Sequence, residues 1–110
     1  GHAYRRNLGP RRTATLKRFR AALDRGIPLS FSSDRPIVPG NPRDAIRTAC
    51  ARPEGFDPHE NISAVEAIRA HTATAADCMQ DRNRFGTLAP GADARYVTVD
   101  DLILDRKAQL

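Results

Sequence analysis

A chain of 110 residues, 40% hydrophobic and 28% charged, has room for one modest core and not for two. Its mean hydropathy is −0.54, and no apolar run approaches the roughly 20 residues that a bilayer span requires. The polar, basic N-terminus lacks the apolar stretch of a signal peptide, so the expected location is cytoplasmic, with no membrane partner.

The formal net charge of +5 is unevenly placed. Residues 1–25 carry eight Lys and Arg (Arg5, Arg6, Arg11, Arg12, Lys17, Arg18, Arg20, Arg25) against Asp24 alone, a net of +7, and the other 85 residues sum to −2. Such clustering suits phosphates, because cations release condensed counterions there. Only Tyr4 and Phe19 lie close enough to serve as stacking residues, however, and no nucleic-acid module signature is present. Nucleic acid is therefore the weaker expectation, and a solvated helix face the stronger one.

Leu16, Phe19, Ala22 and Leu23 recur at helical spacing, which predicts an amphipathic helix over about 13–25 stopped by Gly26. "IPLSFSS" follows, with Ile27, Leu29 and Phe31 alternating with small or polar residues, which predicts a short strand over 27–33. Asn41 as N-cap, Pro42 at the first helical position and Asp44 in the first turn predict a helix of about two turns ending near Ala51. Pro53, Gly55 and Pro58 make 52–61 a loop.

Ser63 and Glu66 form an S-x-x-E capping box. It opens a predicted helix to Met79 with Val65, Ile68, Ala75, Ala76 and Met79 on its apolar stripe. Beyond it, Pro90-Gly91 predicts a turn, "ARYVTVD" a strand, and "LIL" at 102–104 a further short apolar run. The chain divides accordingly into residues 1–61, 62–85 and 86–110.

Cys50 and Cys78 lack the paired spacing of a zinc knuckle and read as buried, structural free thiols. A four-ligand site from Cys50, Cys78, His59 and His71 is conceivable, but structural zinc sites bring their ligands in closely spaced pairs. His71, alone within a helix, reads as a packed or solvated residue before a ligand.

The motifs occur in a telling order. A strand ending in Ser-Asp-x-Pro precedes a Pro-capped helix, then S-x-x-E-A-I-R-A-H-T-x-x-A-A, then G-x-L-x-P-G before an apolar strand. From about Gly9 to Asp100 this order resembles the C-terminal end of an amidohydrolase-superfamily enzyme, in the YtcJ-like and AepA-like branch (amidohydrolase family 3). One departure is Arg95, which stands where that pattern has an aspartate.

The resemblance implies an α/β fragment. It would hold the end of a (β/α)8 metal-dependent-hydrolase barrel plus part of a C-terminal β-layer, with two to four helices and two to four short strands. It further implies that Asp34 sits at the barrel mouth, where such folds keep their chemistry, and is both catalytic and metal-touching. Its task would be to take a proton from an attacking water and pass it to the leaving group. In an α/β protein without this resemblance, Ser33 and Asp34 would read as ordinary turn residues.

The complete enzyme would use zinc or another divalent metal. The resemblance places its remaining ligands upstream, so this chain alone is expected to bind none and to be inactive, since a catalytic zinc takes about three protein ligands. The expected function is that of a C-terminal segment of a hydrolase acting on amide or cyclic amide C–N bonds, with a small-molecule substrate. The alternative is a small basic module that binds nucleic acid or an acidic partner. A self-contained site from Asp34, His59 and His71 ranks last, because nothing in their spacing makes them converge. Unpaired strand edges predict self-association into a homo-oligomer.

Overall fold

The computed structural model describes residues 2–82 and 84–99. Five helices follow one another: α1 (His2–Ala14), α2 (Phe19–Leu23), α3 (Pro42–Cys50), α4 (Ala64–His71) and α5 (Ala73–Cys78), with a 3-10 turn at Pro58–Glu60. α1 is broken at Gly9, just before Pro10.

The local capping signals are realised. The Asn41 side chain accepts from the Arg43 N–H, and Pro42 opens α3. Ser63 and Glu66 make the reciprocal box: the Glu66 N–H donates to Ser63 Oγ at 3.3 Å, and the Ser63 N–H donates to Glu66 Oε2 at 2.8 Å. α2 ends in a Schellman pair, Gly26 N–H to Leu23 C=O and Ile27 N–H to Ala22 C=O. Gly26 adopts φ +69, a conformation that glycine takes without steric cost.

The core lies where α3 meets α4. Ile46, Ala49, Cys50, Ile62, Ala64 and Ala67 are buried, and Phe19, Leu23, Leu29, Phe31 and Ile68 pack around them. The buried face of α4 is the alanine row Ala64, Ala67 and Ala70, whereas Val65 and Met79 are exposed. The expected stripe is corrected at those two positions, while Ile68 packs against the core and Ala76 is buried.

The expected α/β architecture is also corrected. Among the described residues there is no strand, no barrel and no β-layer. Residues 27–33 form neither helix nor strand and keep the alternation in part: Leu29 and Phe31 are half-buried and Ser30 and Ser32 exposed, but Ile27 is exposed as well. Their ladder is missing, because a strand exists only through a neighbour: the Phe31 N–H donates to the C=O of Ala70 in α4 at 2.9 Å. Residues 94–99 of "ARYVTVD" likewise pair with no strand; the expected run at 102–104 lies outside the described residues.

Two predicted helices are divided. The one expected over 13–25 is interrupted at Lys17, which takes φ +54, and Arg52 donates to the carbonyls of Leu16 and Lys17 across that break. The one expected from Ser63 to Met79 bends at Thr72 (φ −123, ψ −92). There the hydroxyl of Thr72 donates to the Ile68 C=O at 2.8 Å, competing with the helix ladder. The Pro90-Gly91 turn forms as expected.

Candidate functional site

Asp34 stands where the extended segment ends. Ser30, Ser32 and Asp34 are all exposed while Leu29, Phe31 and Ser33 are half-buried. The Asp34 side chain is exposed. Its backbone is left-handed, φ +54, a region that aspartate tolerates better than most residues. The Asp34 N–H donates to Ser32 Oγ at 3.4 Å, and the Ile37 N–H donates to the Asp34 C=O at 2.9 Å.

Beside this turn lies a cleft of about 520 Å³, walled by Phe19, Phe31, Phe56, Ser33, Gly40 and His71 among others. Arg52 holds one wall: its guanidinium lies 5.2 Å from the Phe19 ring centroid and 5.1 Å from that of Phe56. The cleft is apolar with a few polar groups at its edge, the usual makeup of a small-molecule site.

His71 closes α4 with its ring edge-on to Phe31, centroids 5.2 Å apart. Its Nε2 is buried without a hydrogen-bond partner among the described residues, and burial pushes its pKa below the ordinary 6.5. His59 lies exposed in the 3-10 turn, where its N–H donates to Asp57 Oδ1 at 2.9 Å.

The residues considered as ligands do not assemble. Among the described residues, no three His, Cys, Asp or Glu side chains stand close enough to hold a metal ion. Asp34, His59 and His71 form no cluster, and neither do Cys50, Cys78 and the two histidines. Both cysteines are free; Cys50 is buried, with its pKa raised by that burial, whereas Cys78 is exposed, which corrects the expectation of two buried thiols.

The basic N-terminal region spends part of its charge internally. Arg18 reaches Glu60 at 3.2 Å, Arg20 reaches Asp24 and Glu66, and Arg5 lies 3.8 Å from Glu54. Glu60 is buried and also accepts from the Ala21 N–H at 2.9 Å; that bond first, then Arg18, holds its pKa below the ordinary value despite burial. Arg11 and Arg12 are exposed.

Two positions that shape the site gave no signal in the sequence. Arg52 reads as one more loop arginine, and its stacking between two rings follows only from the fold. Gly40 reads as turn punctuation after Pro39, yet its backbone lies against the residues on either side of Asp34.

No helix among the described residues is long and apolar enough to cross a membrane. A family model described as "Amidohydrolase family" matches residues 1–110. The chain is 36% identical over 84 residues to Protein LONG AFTER FAR-RED 3 of Arabidopsis thaliana, which covers 72% of this chain and 14% of that protein. It is 31% identical over 91 residues to an N-substituted formamide deformylase of Arthrobacter pascens, covering 77% of this chain and 17% of that protein. The chain thus spans less than a fifth of the length of either relative. No solved structure matches it.

Proposed function

The chain belongs to the amidohydrolase family, and from that premise we propose that it is the C-terminal segment of a hydrolase of non-peptide C–N bonds, with Asp34 as its proton-transfer carboxylate. The observation that carries this reading is the placement of Asp34: an exposed carboxylate in a turn whose residues Ser33 and Gly40 line an apolar cleft. The similarity to a protein named N-substituted formamide deformylase supports small amides as the substrate class.

The chemistry balances around one carboxylate. Water adds to the formyl carbonyl while Asp34 accepts a proton from it. The C–N bond then breaks as Asp34 returns the proton to the departing nitrogen, giving formate and an amine. The cleft would seat the carbon-rich substituent on that nitrogen.

The family is generally metal-dependent. The described residues do not fit a metal on their own, since Asp34 supplies one donor where a catalytic zinc takes about three from the protein. Further donors, for zinc or another divalent ion, would come from other parts of a longer polypeptide, and the 110 residues alone would be inactive.

The test is formate release from N-methylformamide by the longer polypeptide that contains this segment. Asp34→Asn is expected to lower kcat by about 10²–10⁴ with the fold retained by circular dichroism. Unchanged kcat in that variant overturns the role of Asp34.

A further inference from the structure

Gly40 takes φ +71 and sits at the far end of the turn that begins at Asp34. A Cβ built on it would overlap the Arg35 side chain at Cγ and Cδ and stand 3.0 Å from the Ser33 Cβ. Ser33 and Arg35 are the two neighbours of Asp34. The missing side chain therefore makes room for the packing that brackets Asp34 from both sides in sequence.

We propose that Gly40 is the positioning residue for Asp34: the returning chain at 40 closes on residues 33 and 35 and fixes the direction in which the carboxylate points. The catalytic part of this inference rests on the reading of Asp34 given above; the geometric part stands without it.

Two constraints meet at Gly40, and they are separable. One is backbone strain, because a side chain at positive φ is disfavoured wherever it occurs. The other is collision, which is particular to this site. The atoms met are the stem of Arg35, which an exposed side chain can partly rotate away, and the Cβ of Ser33, which moves only with its own main chain, so the remaining relief falls on the 33–35 backbone and on Asp34 with it. Displacements of about 1 Å at a reacting group cost on the order of 10²-fold in rate.

Gly26 supplies the matched control. It has nearly the same φ, +69, and no atom within 4 Å of the position a Cβ would take. Gly26→Ala therefore carries the strain without the collision, and the difference between the two variants isolates the contact.

The experiment compares backbone amide NMR spectra of the 110-residue chain. In Gly40→Ala the resonances of Ser33, Asp34 and Arg35 are expected to shift, and in Gly26→Ala to stay in place. The double variant Arg35→Ala/Gly40→Ala, which removes most of the overlap, is expected to return them part of the way. Unmoved resonances in Gly40→Ala, or equal shifts in Gly26→Ala, overturn the proposal. If Gly40→Ala does not fold, the double variant decides: folding with near-native Asp34 resonances supports collision as the cause, and failure to fold overturns it.

In the longer polypeptide, Gly40→Ala is expected to reduce kcat for N-methylformamide about 10–100-fold with KM little changed. Should Asp34→Asn abolish turnover while Gly40→Ala leaves kcat intact, positioning by Gly40 is overturned. Should Asp34→Asn leave turnover intact while the NMR shifts appear, the catalytic reading of Asp34 fails and the packing role of Gly40 stands.

Discussion

Arg20 in α2 donates through Nη2 to Oε2 of Glu66 in the first turn of α4, at 2.5 Å. The same carboxylate oxygen accepts from the Ser63 N–H and hydroxyl, each at 2.8 Å. One acidic side chain thus caps its own helix and ties it to a helix 46 residues earlier.

This contact makes stability depend on acid. The Arg20 hydrogen bond first, with Ser63 assisting, holds the Glu66 pKa at about 2, below the ordinary 4.5, against the opposing effect of burial. Below 4.5 the unfolded chain binds a proton here that the folded chain refuses, so this contribution is full above pH 4.5 and is lost as the pH falls toward 2. Glu66→Gln is expected to cost about 1 kcal/mol near neutral pH, a figure reduced for partial solvent exposure. The difference between variant and native chain in urea melts should shrink between pH 4.5 and 2; a constant difference would contradict the linkage.

His71 predicts a second pH effect. Its pKa is lowered by burial, so the unfolded chain takes up a proton near 6.5 before the folded chain does, and stability declines as the pH drops below that value. His71→Phe keeps an aromatic edge against Phe31 and removes the unpartnered Nε2. We expect it to stabilise by about 1 kcal/mol at pH 7 and to flatten the decline between pH 6.5 and 5, read from thermal melts at each pH.

The alanine seam predicts an inversion of ordinary expectations. Ala67 is 0% exposed and Val65 is 52% exposed. Ala67→Leu should cost about 1–3 kcal/mol by overpacking, whereas Val65→Lys should change stability by no more than about 0.5 kcal/mol. Chemical denaturation midpoints decide this, and the reverse order would place the other face of α4 in the core.

The 94–99 segment predicts association. Tyr96, Val97 and Val99 are exposed, Val97 at 84%, on a stretch that forms neither helix nor strand and has no paired neighbour among the described residues. Unpaired β-prone edges recruit other strands, so the 110-residue chain should gain mass with concentration in multi-angle light scattering, and Val97→Lys should reduce the gain. A native chain that stays monomeric at millimolar concentration would rule this out.

The caps were legible because they are local. Asn41, Ser63 with Glu66, and Gly26 each act on groups within a few residues, so type and spacing suffice to place them. Asp34 was singled out by the order of motifs around it; the strand expected to end at it is absent, and it stands exposed in a turn. Arg52 and Gly40 escaped notice because what they touch is set by the fold: Arg52 reaches Leu16 and Lys17 more than 30 residues away, and Gly40 meets the stem of Arg35 only through the turn.

The sequence by itself determined the caps at Asn41, Ser63 with Glu66, and Gly26, the inward placement of Leu29 and Phe31, and the family to which the chain belongs. Each of these follows from neighbours along the chain or from an ordered set of motifs. Only the tertiary structure decided that 27–33 and 94–99 carry no ladder, that α4 buries alanines in place of valine, and that Gly40 leans on the flanks of Asp34. The reason is physical: a β-strand, a core face and a steric contact are relations between segments, and a pattern within one segment cannot specify the surface that comes to meet it.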